Sequence, residues 1–453
     1  MSEQSIRAVI TALEERGRLA RVRRPVDPAQ DMAAVALKAY RERGMAVLFE
    51  DARGARAAAH LLSDRARWAT ALGVAEAEVL GYVQRALRGN VPPAVSDRAP
   101  LLALTPVALD RLPIPQASAD DSAPQMVAVA ISIDPATGHD CVGLARHTLV
   151  TPQSLSVIDL CPALGRLHRR YRANGQGMPL ALVVGAGPAL ILAAAAGTWR
   201  AADMALAGSL AAAPIRILRD AASGLPVPAE AELVIVGEIG PNETRVARLT
   251  TPFGTHADDG VHPMFEAKAL FARRDAVFHA MHVGVPGDLA GTLCLAAEAL
   301  VAEHIRNIEG GIDFIDIRCP PMAGAQVVVV KLKARVEGQA KTALMGALSG
   351  PVHCLKLAIA VDEDVDPADL RDVFWSAASR THAEKDVGMI DGLRAHPLDF
   401  AAPLAGFGTD RTGTRWFIDS TMPPLTQGKR RDDFARAIPK NLAVTDLARF
   451  LPQ

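Results

Sequence analysis

Residues 126–248 place the tightest constraint on how this chain can fold. Five short runs rich in aliphatic and β-branched residues, 126–133, 181–184, 215–218, 233–236 and 244–248, alternate with turns bearing Gly and Pro. Runs of this length read as strands, and several in succession with few helices favour a sheet or a partly closed barrel. Residues 195–213, alanine-rich and broken by glycine, suit a small-residue helix packed close to a strand. Cys141-Val142-Gly143-Leu144-Ala145-Arg146 follows the first run and its turn at 134–138. Glycine permits close backbone approach and arginine offers a rigid fork of donors, so a strand end able to hold an anion is expected there.

The flanks have a different rhythm. Residues 6–16 carry apolar side chains at helical spacing, and 46–49 read as a strand ended by the turn 51–54. The Pro-rich connection at 112–116 closes a mixed α/β region. Towards the C-terminus, 327–330 and 355–361 read as buried strands. Residues 367–380 read as a helix with Leu370, Val373, Phe374 and Ala377 on one stripe. The aspartates of 361–366 lack the spacing of a calcium loop and suit the cap of that helix. A short terminal helix is expected over 445–451. Strand and helix alternation here implies a second α/β region. The expected division is 1–115, 116–311 and 312–453.

A chain of 453 residues, half of them hydrophobic and only 22% charged, has the composition of a compact globular enzyme. A formal charge of -1 gives no bulk attraction to nucleic acid. Apolar stretches such as 180–196 are broken by Gly185, Gly187 and Pro188, so no membrane span is expected. The first residues lack a signal-peptide pattern, and the scattered cysteines 141, 161, 294, 319 and 354 suit a reducing compartment. The cytoplasm is the expected location.

Fragments spread over nearly the whole chain resemble the UbiD family of decarboxylases. They include 6–24, 67–73, Val227-Pro228-Ala229-Glu230-Ala231-Glu232, Pro252-Phe253-Gly254, Gly338-Gln339-Ala340-Lys341, Lys356, 361–366, Asp399-Phe400 and Ile418-Asp419-Ser420-Thr421, in the family's order. The resemblance implies two α/β domains around a split β-barrel that binds prenylated FMN, assembled as a homodimer or homohexamer. It further implies reversible non-oxidative decarboxylation of a small aromatic or heteroaromatic carboxylic acid.

Mapped residue by residue, the family arginine falls on Arg146, implying a grip on substrate carboxylate or flavin. Lys356 matches a cation near the cofactor, and Arg166 and His168 are candidates for the flavin phosphate. The family's metal-binding asparagine, histidine and glutamate fall on Cys141, Leu164 and Asp203. Leucine has no lone pair to offer, and a thiol suits hard cations poorly, so the usual manganese and potassium arrangement is not expected. The two glutamates that flank Pro-Phe-Gly in the family fall on Thr250 and Thr255. Threonine orients a ligand but exchanges protons poorly near neutral pH. These two are therefore candidates for substrate binding, and His256, then His262, for proton transfer, with Asp258 or Asp259 orienting an imidazole. Two other readings stay open. One is a cofactor-free, repurposed lyase or hydrolase; the other is a noncatalytic subunit completed by a homologous partner.

Overall fold

The computed structural model describes residues 5–96, 103–257, 260–308, 311–402, 411–446 and 449–450. The chain enters through the helix Ile6–Glu15, whose N-terminus is capped by the Ser5 hydroxyl accepting from the Ala8 amide. Ile6, Val9, Ile10 and Leu13 recur at three- and four-residue steps and form its buried face. The following strands Leu19–Val22, Ala46–Ala52 and Ala55–Ala59 form a sheet whose fourth member, Val277–His279, returns from far along the sequence. The first two are parallel, and the second and third form an antiparallel hairpin.

The centre is a closed six-stranded barrel. Around it run Leu233–Val246, Met178–Val184, Gln125–Ile133, Asp140–Thr151, Ser154–Leu160 and Gly260–Ala272. The first and last of these pair with each other and close the ring. Two expectations are corrected here. Residues 233–236 and 244–248, expected as separate strands, belong to one 14-residue strand ending at Val246, irregular between Val236 and Gly237 and again between Ile239 and Glu243. The Gly240-Pro241 pair sits in the second irregularity, where the register shift absorbs it without ending the strand. Arg146 does not terminate a strand either. It lies inside the 12-residue strand Asp140–Thr151, facing Val127 on one side and Asp159 on the other.

Within the alanine-rich segment 195–213 one short helix forms, Met204–Ala211, and it follows the helix Pro188–Ala196, which is buried along its whole length. The 21-residue helix Asp288–Ile308 then leads into a five-stranded sheet. Its order is Phe314–Arg318, Val327–Leu332, Leu357–Val361, Arg411–Ser420, Val387–Ala395. The helix Leu370–Arg380 is capped by Asp369, while Asp366 accepts from the Ala368 amide one turn earlier. Val373 is buried, but Phe374 is 68% exposed, so the expected apolar stripe is narrower than its sequence suggested. At the C-terminus a 3-10 turn, Leu442–Val444, precedes the region of the expected terminal helix, of which 447, 448 and 451 lie outside the described residues. Among the described residues no helix is long and apolar enough to cross a membrane.

Buried ion pairs join these parts. Arg7 on the first helix donates to both carboxylate oxygens of Glu232, at 2.7 and 2.8 Å, and Glu232 also accepts from the Val277 amide. Arg65 reaches Glu298 on the long helix and Asp316 on the last sheet. Removing one member of such a pair strands a buried charge, which is why these contacts fix how the layers meet.

At Gly237, in the closing strand, an added Cβ would stand 2.1 Å from the carbonyl oxygen of Glu266 on the partner strand. Gly237→Ala should therefore destabilise the chain by about 1–3 kcal/mol through overpacking. Denaturant unfolding checks this; an unchanged midpoint would show that the barrel opens there without cost.

Candidate active site

A cleft of about 720 Å³ lies between the barrel and the last sheet, with Arg146 in its wall. Val127, Leu144, Leu160, Leu249, Leu289 and Leu293 make much of that wall apolar. Another cavity, of about 680 Å³ beside the first helix, is lined by Arg65 and Arg67. Those two arginines are committed to Glu298, Asp316 and Asp64.

Arg146 is almost wholly buried, and the alternation of its strand aims it inwards. Its Nε donates to Asp159 Oδ2 at 2.6 Å, and Nη1 donates to Gln125 Oε1 at 3.1 Å and to the Thr250 carbonyl at 2.9 Å. Among the described residues Nη2 has no hydrogen-bond partner, leaving one edge of the fork for a ligand. Asp159 was not foreseen from the sequence. It stands opposite Arg146 in register across the hairpin turning at Pro152-Gln153. The turn and the alternation of the two runs were the available signal.

Thr250 lies in the cleft wall, its hydroxyl donating to Asp121 Oδ1 at 2.8 Å. Asp121 also accepts from the Gln125 amide nitrogen, so two further unforeseen residues hold Thr250 and Arg146 in place. Thr255 is exposed on the following turn, its hydroxyl bonded to that of Thr251 at 2.8 Å, and is not among the cleft-lining residues. The two threonines therefore have different surroundings, although both flank Pro252-Phe253-Gly254.

The histidines also separate. His256 Nε2 meets the Ser118 hydroxyl at 3.2 Å and does not line the cleft. His262 does line it. Burial pushes its pKa below the usual histidine value, opposed by the nearby Asp159 carboxylate and reinforced by the Arg146 charge. Asp258 and Asp259 lie outside the described residues. His353 and His396, also unforeseen as site residues, stack at 6.1 Å in the wall, and Phe253 packs edge-on against His396 at 5.0 Å. Burial lowers the His396 pKa to about 4, so this aromatic patch is neutral near pH 7.

The candidates for a cofactor phosphate are dispersed. Arg166 and His168 ride on the helix Pro162–Ala173 and do not line the cleft. Arg166 is exposed, and burial together with the charges of Arg172 and Arg169 depresses the His168 pKa. Lys356 Nζ pairs with Asp399 Oδ1 at 2.8 Å and is not among the lining residues either.

The positions matched to metal ligands do other work. Leu164 is 0% exposed in the core. Asp203 caps the helix Met204–Ala211 by accepting from the Leu206 amide at 2.8 Å. Interaction with the Cys161 thiol raises the Cys141 pKa and lowers that of Cys161. Among the described residues no group of three His, Cys, Asp or Glu side chains is placed to hold a metal ion. The residues therefore do not fit the metal. The cleft's volume and apolar walls do fit a flat aromatic cofactor.

Family models for the N-terminal, Rift-related and C-terminal domains of 3-octaprenyl-4-hydroxybenzoate carboxy-lyase match residues 10–87, 94–286 and 292–420. The chain belongs to the UbiD family. Among solved structures, the UbiD-class enzyme HmfF from Pelotomaculum thermopropionicum in complex with FMN is 26% identical, with a TM-score of 0.86 over 99% of this chain and 100% of that one. An evolved dimeric form of the same UbiD-class enzyme, in complex with prFMN, is 25% identical over 99% and 100% of the two chains, again at a TM-score of 0.86. The 3,4-dihydroxybenzoic acid decarboxylase of Enterobacter cloacae shares the fold at 20% identity and a TM-score of 0.86, with 99% of each chain covered. This chain is thus a UbiD-family carboxy-lyase by descent, with an atypical site in which the described residues offer no group of three metal-ligating side chains.

Because Arg146 is buried in the cleft wall with one edge open, Arg146→Ala should lower kcat/KM by about 10²–10³-fold while leaving near-ultraviolet circular dichroism unchanged. Arg146→Lys should not restore turnover, because a point charge cannot keep Asp159 and Thr250 in the same geometry. Normal kinetics in either variant would remove Arg146 from the site.

Proposed function

We propose that this UbiD-family chain catalyses the reversible, non-oxidative decarboxylation of a small aromatic or heteroaromatic carboxylic acid with prenylated FMN. The observation that carries the reading is the open guanidinium edge of the buried Arg146, set into a mostly apolar cleft of about 720 Å³. The bound cofactor supplies the electron sink for the pair released as the carbon–carbon bond breaks. This chain's side chains bind and orient the acid, exclude water and manage the proton.

Arg146 Nη2 donates to the substrate carboxylate, while Asp159, Gln125 and the Thr250 carbonyl keep the fork from turning. The walls of Leu144, Leu160 and Leu293 give the aromatic ring apolar contact and disfavour the charged carboxylate relative to neutral carbon dioxide. Phe253 and the His353–His396 stack offer a flat surface against which an aromatic ring rests.

The carbon that loses carbon dioxide must gain a proton. Thr250 spends its hydroxyl on Asp121, which leaves His262 with Asp159 as the donor system facing the cleft. His262 Nε2 or Nδ1 carries the proton and Asp159 stabilises the charged ring, at the edge of Arg146. Arg166, His168 and Lys356 remain candidates for the cofactor's phosphate. Exposed apolar side chains on neighbouring strands of the last sheet, Met389 and Trp416, support assembly as a homodimer or homohexamer.

The replaced metal positions favour a second reading, a noncatalytic subunit of a UbiD-like complex. Anaerobic reconstitution of the purified chain with prenylated FMN separates the two. Stoichiometric uptake, and deuterium from solvent replacing the carboxylate of a benzoate or furoate, support catalysis by this chain alone. Uptake without turnover of any acid in such a panel supports the subunit reading.

The proton assignment has a pH signature. Since burial holds the His262 pKa below 6.5, its protonated form is already scarce at pH 7 and falls about tenfold with each further pH unit. The rate should therefore rise as the pH is lowered towards a midpoint below 6.5. His262→Asn should abolish this limb, and His256→Asn should leave it intact. A limb that survives in His262→Asn assigns the proton elsewhere.

A further inference from the structure

The cavity of about 680 Å³ beside the first helix shares no lining residue with the cleft. The long helix Asp288–Ile308 runs between them. Leu289 and Leu293 line the cleft, while Leu295 and Glu298, on the opposite face of that helix, line the cavity. The other walls come from the C-terminal ends of the helices Ile6–Glu15 and Ala33–Arg43 and from the helix Arg65–Leu72.

Six arginines border this cavity: Arg16, Arg18, Arg41, Arg65, Arg67 and Arg318. Three of them have carboxylate partners. Arg65 pairs with Glu298 and Asp316, Arg67 with Asp64, and Arg318 with Asp316 and Glu76. The other three have no carboxylate partner among the described residues. Arg16 Nη1 donates to the Thr70 hydroxyl at 2.6 Å, and the exposed Arg18 and Arg41 make no side-chain hydrogen bond or ion pair. A helix C-terminus favours a nearby cation, which accounts for Arg16 and Arg41 but not for Arg18. Arg18 instead converges with a buried cation. A Cβ at Gly44 would lie 3.3 Å from Arg18 Nη1, and the Gly44 carbonyl accepts from Arg67 Nη2 at 2.9 Å. Arg65 and Arg67 are each 7% exposed, and the buried Nε of each has no hydrogen-bond partner among the described residues. Positive charge and donors thus exceed negative charge and acceptors along this wall, an arrangement that repels itself and attracts an anion.

We infer that this cavity is a second small-molecule site, built for an organic phosphate monoester. A phosphate carries close to two charges and three strong acceptor oxygens, which suits three guanidinium groups without carboxylates better than a single carboxylate does. The cavity is far larger than a bare anion requires, and Leu13, Leu295 and Pro320 give its wall an apolar part for the organic body.

The probe is phenyl phosphate, titrated calorimetrically into the full-length chain without cofactor. Arg146→Ala is titrated beside the wild type, so that binding in the cleft is told apart and the outcome does not depend on the decarboxylase reading. Saturable binding should be the same in both. It should weaken about tenfold in Arg18→Ala and disappear in Arg18→Ala/Arg41→Ala. Both side chains are exposed and unpaired, so these variants should keep the wild-type circular dichroism. Inorganic phosphate, which forgoes the apolar wall, should bind about tenfold more weakly than phenyl phosphate. Phenylacetate, with the ring but one charge, should give no binding that Arg18→Ala removes. No binding of phenyl phosphate at millimolar concentration, binding that survives in the double variant, or binding lost in Arg146→Ala overturns the site. Inorganic phosphate or phenylacetate binding there as tightly as phenyl phosphate overturns the ligand class.

Discussion

Closure of the barrel is the constraint on which the rest of the structure depends. The strand Leu233–Val246 pairs with Met178–Val184 on one edge and with Gly260–Ala272 on the other, and its register against the latter shifts twice. Each shift bends the strand and increases its twist. At Gly237 the two backbones come so close that no side chain fits between them. Once the ring is closed, the segment between the closing strands, with Thr250 and Pro252-Phe253-Gly254, is held against Arg146, and His262 comes to the same rim. Without closure these groups would belong to separate parts of the chain.

Within that frame, charge has been redistributed. The helix Met204–Ala211 needs an acceptor for its first amides, and Asp203 fills that need, so its carboxylate is not free for a cation. Leu164 completes an apolar core beneath the helix Pro162–Ala173, and a polar side chain there would have to be buried. The negative charge that balances Arg146 comes instead from Asp159 on the adjacent strand. Arg146 is 6% exposed at its side chain and Asp159 is 43% exposed, so the pair joins a buried cation to an anion that still meets solvent. Asp159 holds Nε and leaves Nη2 to a competing carboxylate, which keeps the arginine fixed yet available.

What the sequence revealed follows from where the physics is local. The helix at 6–15, the strand at 46–52 and the valine run at 327–332 were legible because their apolar periods or β-branched composition act over a few residues. The long closing strand was not, because Gly240-Pro241 has the local signature of a turn and only the partner strands hold it in line. Arg146 was found through its family pattern. Asp121, Asp159 and His396 were missed because each acquires its partner across the fold, from positions whose local sequence marks them as ordinary surface polar residues. Thr250 and Thr255, and likewise His256 and His262, looked alike in sequence; the direction of a turn separated them.

The return of Val277–His279 to the first sheet bears on how this chain is made. The strand Ala55–Ala59 finds its second neighbour only in that late segment, and Glu232, the anchor for Arg7, also emerges long after the first helix. On the ribosome, the first sheet waits through the synthesis of the whole barrel with one edge unpaired. Unpaired strand edges invite pairing with other chains. The N-terminal layer therefore depends on its own nascent chain arriving in time, and a fragment ending before residue 277 would present that bare edge permanently.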